Sequence, residues 1–221
     1  MSRHFTLYDD WYGDDFKIFK KNNIEIKTGT TILVGCNGAG KTTLLHQIKQ
    51  KLENENIPVL LHDNKTEGER RLKDRSVFSG DFETVARLLS NSEGENIVNV
   101  LGDVARKMGR LTRDYPDSKE IWFLFDAIDS GLSIDNVLDI KEQLIPLVIE
   151  NNPDKDVYFV ISANSYEFAR NENCFDVING EYIRFKDYED YREFVLNSKK
   201  QKLSGMTNDK EGYSNAIYYT V

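Results

Sequence analysis

Cysteine is scarce. Cys36 and Cys174 are the only two in 221 residues, too few and too far apart for a disulfide framework or a thiolate metal site, and both are expected to be reduced. Histidine is equally thin: His4, His46 and His62 are scattered, which leaves zinc chemistry without support. No apolar run approaches the ~20 residues that span a bilayer, and the first residues lack the apolar stretch of a secretory leader. The expectation is a cytoplasmic protein with no membrane insertion. Positive charge is not in excess either. Lys and Arg number 29 against 37 Asp and Glu, and the net charge of −8 argues against coating of nucleic acid by the whole surface, though not against one local basic patch. The chain has no internal repeat, low-complexity tract or domain linker.

What is present describes a soluble globular protein, 39% apolar and 30% charged. Its length suits one domain over residues 1–200, with a helical lobe near 65–116 and a polar tail over 201–221.

The most informative stretch runs from Thr30 to Thr43. A short β-branched strand (Thr30–Val34) leads into Gly35-Cys36-Asn37-Gly38-Ala39-Gly40-Lys41-Thr42-Thr43, and Leu44, Leu45, Ile48 and Leu52 then recur on one side of a helix. This is the G-x-x-x-x-G-K-[ST] pattern of a phosphate-binding loop in its strand-loop-helix setting. Gly35, Gly38 and Gly40 let the backbone wrap closely round an anion, so that the N–H groups of Asn37, Ala39 and their neighbours and the helix N-terminus point at phosphates. Lys41 adds a point charge for the β- and γ-phosphates, and the Thr42 hydroxyl is placed to hold Mg²⁺.

Upstream, alternation at Phe16/Ile18 and Ile24/Ile26 around Asn22-Asn23 predicts antiparallel strands meeting at a turn. Trp11, Tyr12, Phe16 and Phe19 either pack in the core or offer a ring to a nucleotide base. Downstream, Ile57–Leu61 reads as a strand ending at His62-Asp63-Asn64, and Lys65–Arg75 as a charged loop open to solvent or to a partner. Phe82, Val85, Leu88 and Leu89 fit one helix, and Ile97, Val100, Leu101, Val104, Met108 and Leu111 a second. The second opens with Ser92 and Glu95 at capping-box spacing. Its other side is basic, with Arg106, Arg110 and Arg113 on one face.

Ile121–Asp126 is a continuous apolar run ending in a carboxylate, as expected of a central parallel strand buried on both faces. Asp126 then stands at the carboxyl end, where open α/β sheets place their ligands, and resembles a Walker B aspartate, which implies a second Mg²⁺ ligand beside Thr42, direct or through water. A helix from about Ile134 is predicted to break near Pro146. Val157–Ile161 reads as another buried strand leading to Ser162-Ala163-Asn164-Ser165. Asn179-Gly180 marks a hairpin between Phe175–Ile178 and Glu181–Phe185. Composition predicts no structure after about Lys199. The whole is an α/β fold with a mostly parallel central sheet, antiparallel edge strands and a helical lobe.

Taken together, these motifs resemble an ATP-binding-cassette (ABC) type P-loop ATPase from Phe16 to Phe185. Ser92-Glu93-Gly94-Glu95 is similar to that family's signature, Ile121–Asp126 to its Walker B strand, Ser130-Gly131-Leu132-Ser133 to its D-loop, and Ser162–Ser165 to its switch segment. The resemblance implies ATP and Mg²⁺ as ligands and a head-to-tail homodimer in which Ser92 and Gly94 of one subunit cap the nucleotide of another. It implies roles in catalysis for Lys41, Asp126 and Asn164. Three positions depart from the family. Its usual general-base glutamate is Ala127, which cannot accept a proton, and its switch histidine is Asn164. The usual glutamine after the second strand is replaced by Asp63 or Asn64. Slow hydrolysis, or ATP used mainly as a dimer switch, is therefore expected, with Asp129 the nearest substitute carboxylate. The signature and short lobe favour the soluble heads of DNA repair, chromosome maintenance and phage defence, acting on DNA or on a partner protein. The alternatives are the nucleotide subunit of a membrane transporter and a small-molecule kinase.

Overall fold

The computed structural model describes residues 1–8, 19–63, 93–130 and 132–208, with backbone alone for 93–101, 103 and 203–208. Predictions that fall on Trp11, Tyr12, Phe16, Ile18, the charged segment 65–75, the helix around Phe82–Leu89, Ser92 and Gly131 lie outside the described residues.

Six strands form the central sheet in the order β4(Val59–Asp63), β5(Glu120–Asp126), β6(Asp156–Ser162), β3(Gly29–Val34), β7(Cys174–Asp176), β8(Glu181–Ile183). All neighbours are parallel except β7 and β8. Helix α1 (Lys41–Asn54) crosses from β3, α2 (Glu93–Asp114) precedes β5, and α3 (Ile134–Asp139) to α4 (Ile145–Glu150) link β5 to β6. The short α5 (Tyr166–Ala169) follows β6, and the long α6 (Tyr188–Asn208) follows β8. The expected mostly parallel α/β sheet with an antiparallel edge is borne out.

The alternation of side chains along the strands divides the core in two. Leu33, Trp122, Leu124, Tyr158 and Val160 face the fully buried Leu44, Leu45, Ile48 and Leu52 of α1. Ile32, Val34, Phe123, Phe125, Phe159 and Ile161 face Val104 and Met108 of α2, Val137 of α3 and Tyr191 of α6. Both faces are covered, which is why these strands read as continuous apolar runs. Cross-strand ring pairs fix the register: Trp122 stacks on Tyr158 at 3.8 Å, and Phe123 on Phe159 at 4.9 Å.

Three local expectations need correction. The strand containing Ile24 and Ile26 is present as β2 (Asn23–Lys27), but its antiparallel partner is β1 (Ser2–Thr6), with Phe5 opposite Ile24. These two strands make a separate sheet on the α1 side, because Phe5, Ile24 and Ile26 bury against that face. The β7–β8 hairpin closes through residues 177–180 rather than through Asn179-Gly180 alone. Asp176 is the cause: its carboxylate accepts the Ile178 and Asn179 amides, and Gly180 N–H returns to the Asp176 carbonyl at φ +64°. Finally, α6 continues past Lys199 to Asn208, prolonging the turns in which Tyr191, Phe194, Val195 and Ser198 pack on the fold.

The break at Pro146 is present as a π-helical turn over Ile140–Leu144. Pro146 has no N–H to give the preceding turn, and the Ile145 amide reaches back five residues to the Ile140 carbonyl.

Cys174 is fully buried beneath α5, its thiol donating to the Ala169 carbonyl oxygen at 3.4 Å. Burial, reinforced by the Glu172 charge and opposed by Lys141, pushes the thiol up from 9.0 to about 12. A raised folded-state value means stabilisation that is whole below pH 9.0 and lost as pH rises towards about 12. Replacing Cys174 by Ala is expected to flatten the decline in urea-unfolding midpoint across that window.

Candidate functional site

The register of the parallel strands brings the predicted residues together. Leu33 and Asp126 both lie opposite Ser162, and Asp126 lies opposite Asp63. The loop after β3, the carboxylate ending β5 and the Ser162-Ala163-Asn164 segment ending β6 therefore meet along one edge of the sheet, the usual ligand-binding crevice of open α/β folds.

The loop itself obeys the glycine logic. Gly35, Gly38 and Gly40 sit at φ +145°, +75° and +93°, and Gly40 is the N-cap of α1. A Cβ on Gly35 would meet the Ala39 Cβ at 2.9 Å, so the loop could not fold back on itself with any other residue there. Asn37, Gly38 and Thr42 are exposed, whereas Ala39, Gly40, Lys41 and Thr43 are buried. The first turn of α1 holds no acidic residue and no side-chain cap, which leaves its N-terminal amides directed into the loop.

Lys41 is only 8% exposed. Its Nζ donates to the carbonyl oxygens of Gly35 at 2.8 Å and Cys36 at 3.3 Å, so the ammonium lies across its own loop. Burial pushes it below its ordinary value of 10.5, and neighbouring Cys36, Asp126 and Asp129 work against that shift. Lys41 and Asp126, 85 residues apart in sequence, are thus electrostatic neighbours. Asp126 is itself 7% exposed at the end of β5. The exposed Thr42 hydroxyl and this carboxylate are hard oxygen donors. They fit Mg²⁺, which takes one or two protein oxygens and completes its shell with phosphate and water.

Ala127 succeeds Asp126 with φ +51°, turning the chain away from the sheet edge. Two residues later Asp129 performs a task that the sequence does not announce. Its Oδ2 accepts the Asn164 and Ser165 amides at 2.7 and 2.6 Å, tying the turn after β5 to the turn after β6. Its Oδ1 is buried and has no hydrogen-bond partner among the described residues. Asn164 is exposed, and its carbonyl oxygen accepts the Tyr191 hydroxyl of α6 at 2.8 Å.

Of the signature residues, Ser92 lies outside the described residues. The described part of the helix runs from Glu93, and Gly94 lies within it. Sequence reasoning missed the contribution of α6. Ser198, 4% exposed, accepts the Cys36 amide at 3.1 Å through its Oγ, and Lys202 donates to the Asn37 carbonyl at 3.3 Å. Nothing in the composition of the tail marks these residues, since Ser and Lys are ordinary in a polar segment.

No protein-family model matches the chain, and no curated protein matches it. Among solved structures it is similar to one described as the crystal structure of a nucleotide-free ATP-binding cassette from an ABC transporter. The identity is 14%, the match covers 90% of this chain and 99% of that chain, and the TM-score is 0.49. At that level of similarity, chemistry has to be read from the residues themselves.

Replacing Asp129 by Ala would leave two amides without their acceptor, at a cost of about 1–3 kcal/mol. Asp129→Asn, which keeps an oxygen in place, should lose less, as measured by urea unfolding.

Proposed function

We propose that this chain binds ATP with Mg²⁺ through the Gly35–Thr43 loop, hydrolyses it slowly, and uses ATP-driven head-to-tail dimerisation as a switch. The observation that carries this reading is the convergence of a buried Lys41 in a glycine-turned loop after β3 with Asp126 at the end of β5, the next strand but one in the sheet. Loop amides and Lys41 bind and orient the phosphates. Thr42 and Asp126 hold Mg²⁺, whose charge offsets that of the β- and γ-oxygens. Asn164, at the mouth, can hydrogen-bond a phosphate oxygen or the attacking water but cannot take its proton.

Slow turnover stems from Ala127. At the position where a general base is expected, a methyl group offers no acceptor, and positioned bases contribute roughly 10²–10⁴-fold. Asp129, the nearest carboxylate in sequence after Asp126, has one oxygen committed to the Asn164 and Ser165 amides. Dimerisation rests on the signature-like start of α2, where helix amides and a favourable dipole suit a phosphate held by a second copy. A DNA-linked or defence role rests on the basic face of α2, where Arg106, Arg110 and Arg113 are exposed.

Light scattering with Mg-ATP, alongside phosphate release, tests the switch. A stable dimer with little phosphate is expected, Lys41→Ala should remain monomeric, and Ala127→Glu should raise turnover about 10²-fold. A wild-type rate near the enzyme median, about 10 per second, would overturn the slow-switch reading. For the basic face, a gel shift with duplex DNA should weaken steeply with salt and be lost when all three arginines are changed to Gln.

A further inference from the structure

Helix α6 lies over the phosphate loop, and its contacts there are specific. Ser198 anchors it by accepting the buried Cys36 amide, which sets the rotation of the helix on the loop. One turn on, Lys202 reaches the Asn37 carbonyl, and a Cβ on Gly38 would stand 2.2 Å from its Nζ. Glycine at 38 therefore serves two ends. It permits the turn, and it admits an ammonium group against the loop backbone from outside.

Between α6 and the loop is a cavity of about 550 Å³, within the range of small-ligand sites. Gly35, Cys36 and Asn37 form one wall, and α6 the other, where Arg192, Lys199 and Lys202 stand among the apolar and aromatic Tyr188, Val195 and Leu196. These three cations recur along one side of the helix, at i, i+7 and i+10. Arg192 is paired with Glu189 at 2.6 Å. Lys199 and Lys202 have no carboxylate partner among the described residues. In a chain of net charge −8, two lysines without a carboxylate partner among the described residues, facing a phosphate loop, call for an anion.

Resting on the nucleotide reading of the loop, we propose that Lys202 and Lys199 are a second set of phosphate contacts, through which α6 closes on the polyphosphate chain of the bound ligand. The acceptor now held by Lys202 is a neutral carbonyl at 3.3 Å. A phosphate oxygen offers the same ammonium a shorter, charge-assisted bond. The lysine stem is long enough to pivot between the two, with Ser198 as the fixed point. Lys41 grips the phosphates from within the loop and α6 from outside it, so occupancy of the loop and the seating of α6 become one equilibrium.

The test is calorimetric titration of the full chain with ATP, ADP, adenosine and inorganic triphosphate, in wild type, Lys202→Met, Lys202→Arg, the Lys199→Met/Lys202→Met pair and Lys41→Met. Lys202→Met should weaken ATP about tenfold, as for one lost hydrogen bond to a charged group, and the pair should weaken it further. Lys202→Arg should retain affinity, and adenosine should be indifferent to all of them. Inorganic triphosphate losing affinity in parallel with ATP supports the proposal and locates recognition in the phosphates. Triphosphate or ATP binding unchanged in the Lys199/Lys202 pair, while Lys41→Met abolishes it, overturns this proposal and leaves the nucleotide reading standing. Equal losses for adenosine and ATP would signal a disturbed fold and also overturn it. A wild type that binds neither ATP nor triphosphate overturns both readings. Amide exchange over α6 gives an independent measure: ATP should slow it in wild type and not in the pair.

Discussion

The parallel pairing of β5, β6 and β3 ends three strands level with one another, and the glycine loop with Lys41, Asp126, Asp129 and Asn164 are delivered by those ends or by the turns beyond them. That alignment is held by the core. Trp122 against Tyr158 and Phe123 against Phe159 are neighbours across β5 and β6, and a slip of one residue would send each ring to the opposite face. The site is therefore specified by packing on the order of a strand length away from the chemistry. Asp126 reaches the electrostatic neighbourhood of Lys41 because Phe123 and Phe159 cannot exchange faces.

Much of this was legible in the sequence, for reasons that differ by element. Strands buried on both faces are long apolar runs, so Ile121–Asp126 and Val157–Ile161 declared themselves together with their direction. Helix α1 carried both a glycine start and a leucine periodicity, and Leu44, Leu45, Ile48 and Leu52 are buried on its inner side as predicted. Short amphipathic strands are different. Ile24 and Ile26 alternate, but alternation does not say which other strand completes the pair, and β1 does so through Phe5. The Asn-Gly signal was real, yet the Asp176 side chain took two amides and widened the turn. Helix α6 was illegible for a third reason: it is a polar helix held by tertiary contacts, and pattern reading detects helices by their apolar stripe.

Within the site, Lys41 and the loop glycines were readable from a short motif of fixed spacing, and Asp126 from its place at the end of a buried strand. Asp129 and Ser198 were not. Each acts on the backbone of a distant segment, Asp129 on the Asn164 and Ser165 amides and Ser198 on the Cys36 amide, and hydrogen bonds across the fold leave no local trace. Such bonds matter where they occur. A buried amide without an acceptor is costly, and both serines and aspartates are small enough to reach one without displacing the core.

The Trp122–Tyr158 stack has an optical consequence. Trp122 is one of two tryptophans in the chain, is fully buried, and sits on the face of the sheet covered by α1. Its indole N–H is bound to Glu120, which also takes Arg3, so the ring is fixed at both edge and face. An emission band from such a ring is blue-shifted and narrow. With Trp11 replaced by Phe, that band reports the seating of α1, the helix that begins at Lys41, without any label having to be added near the Gly35–Thr43 loop.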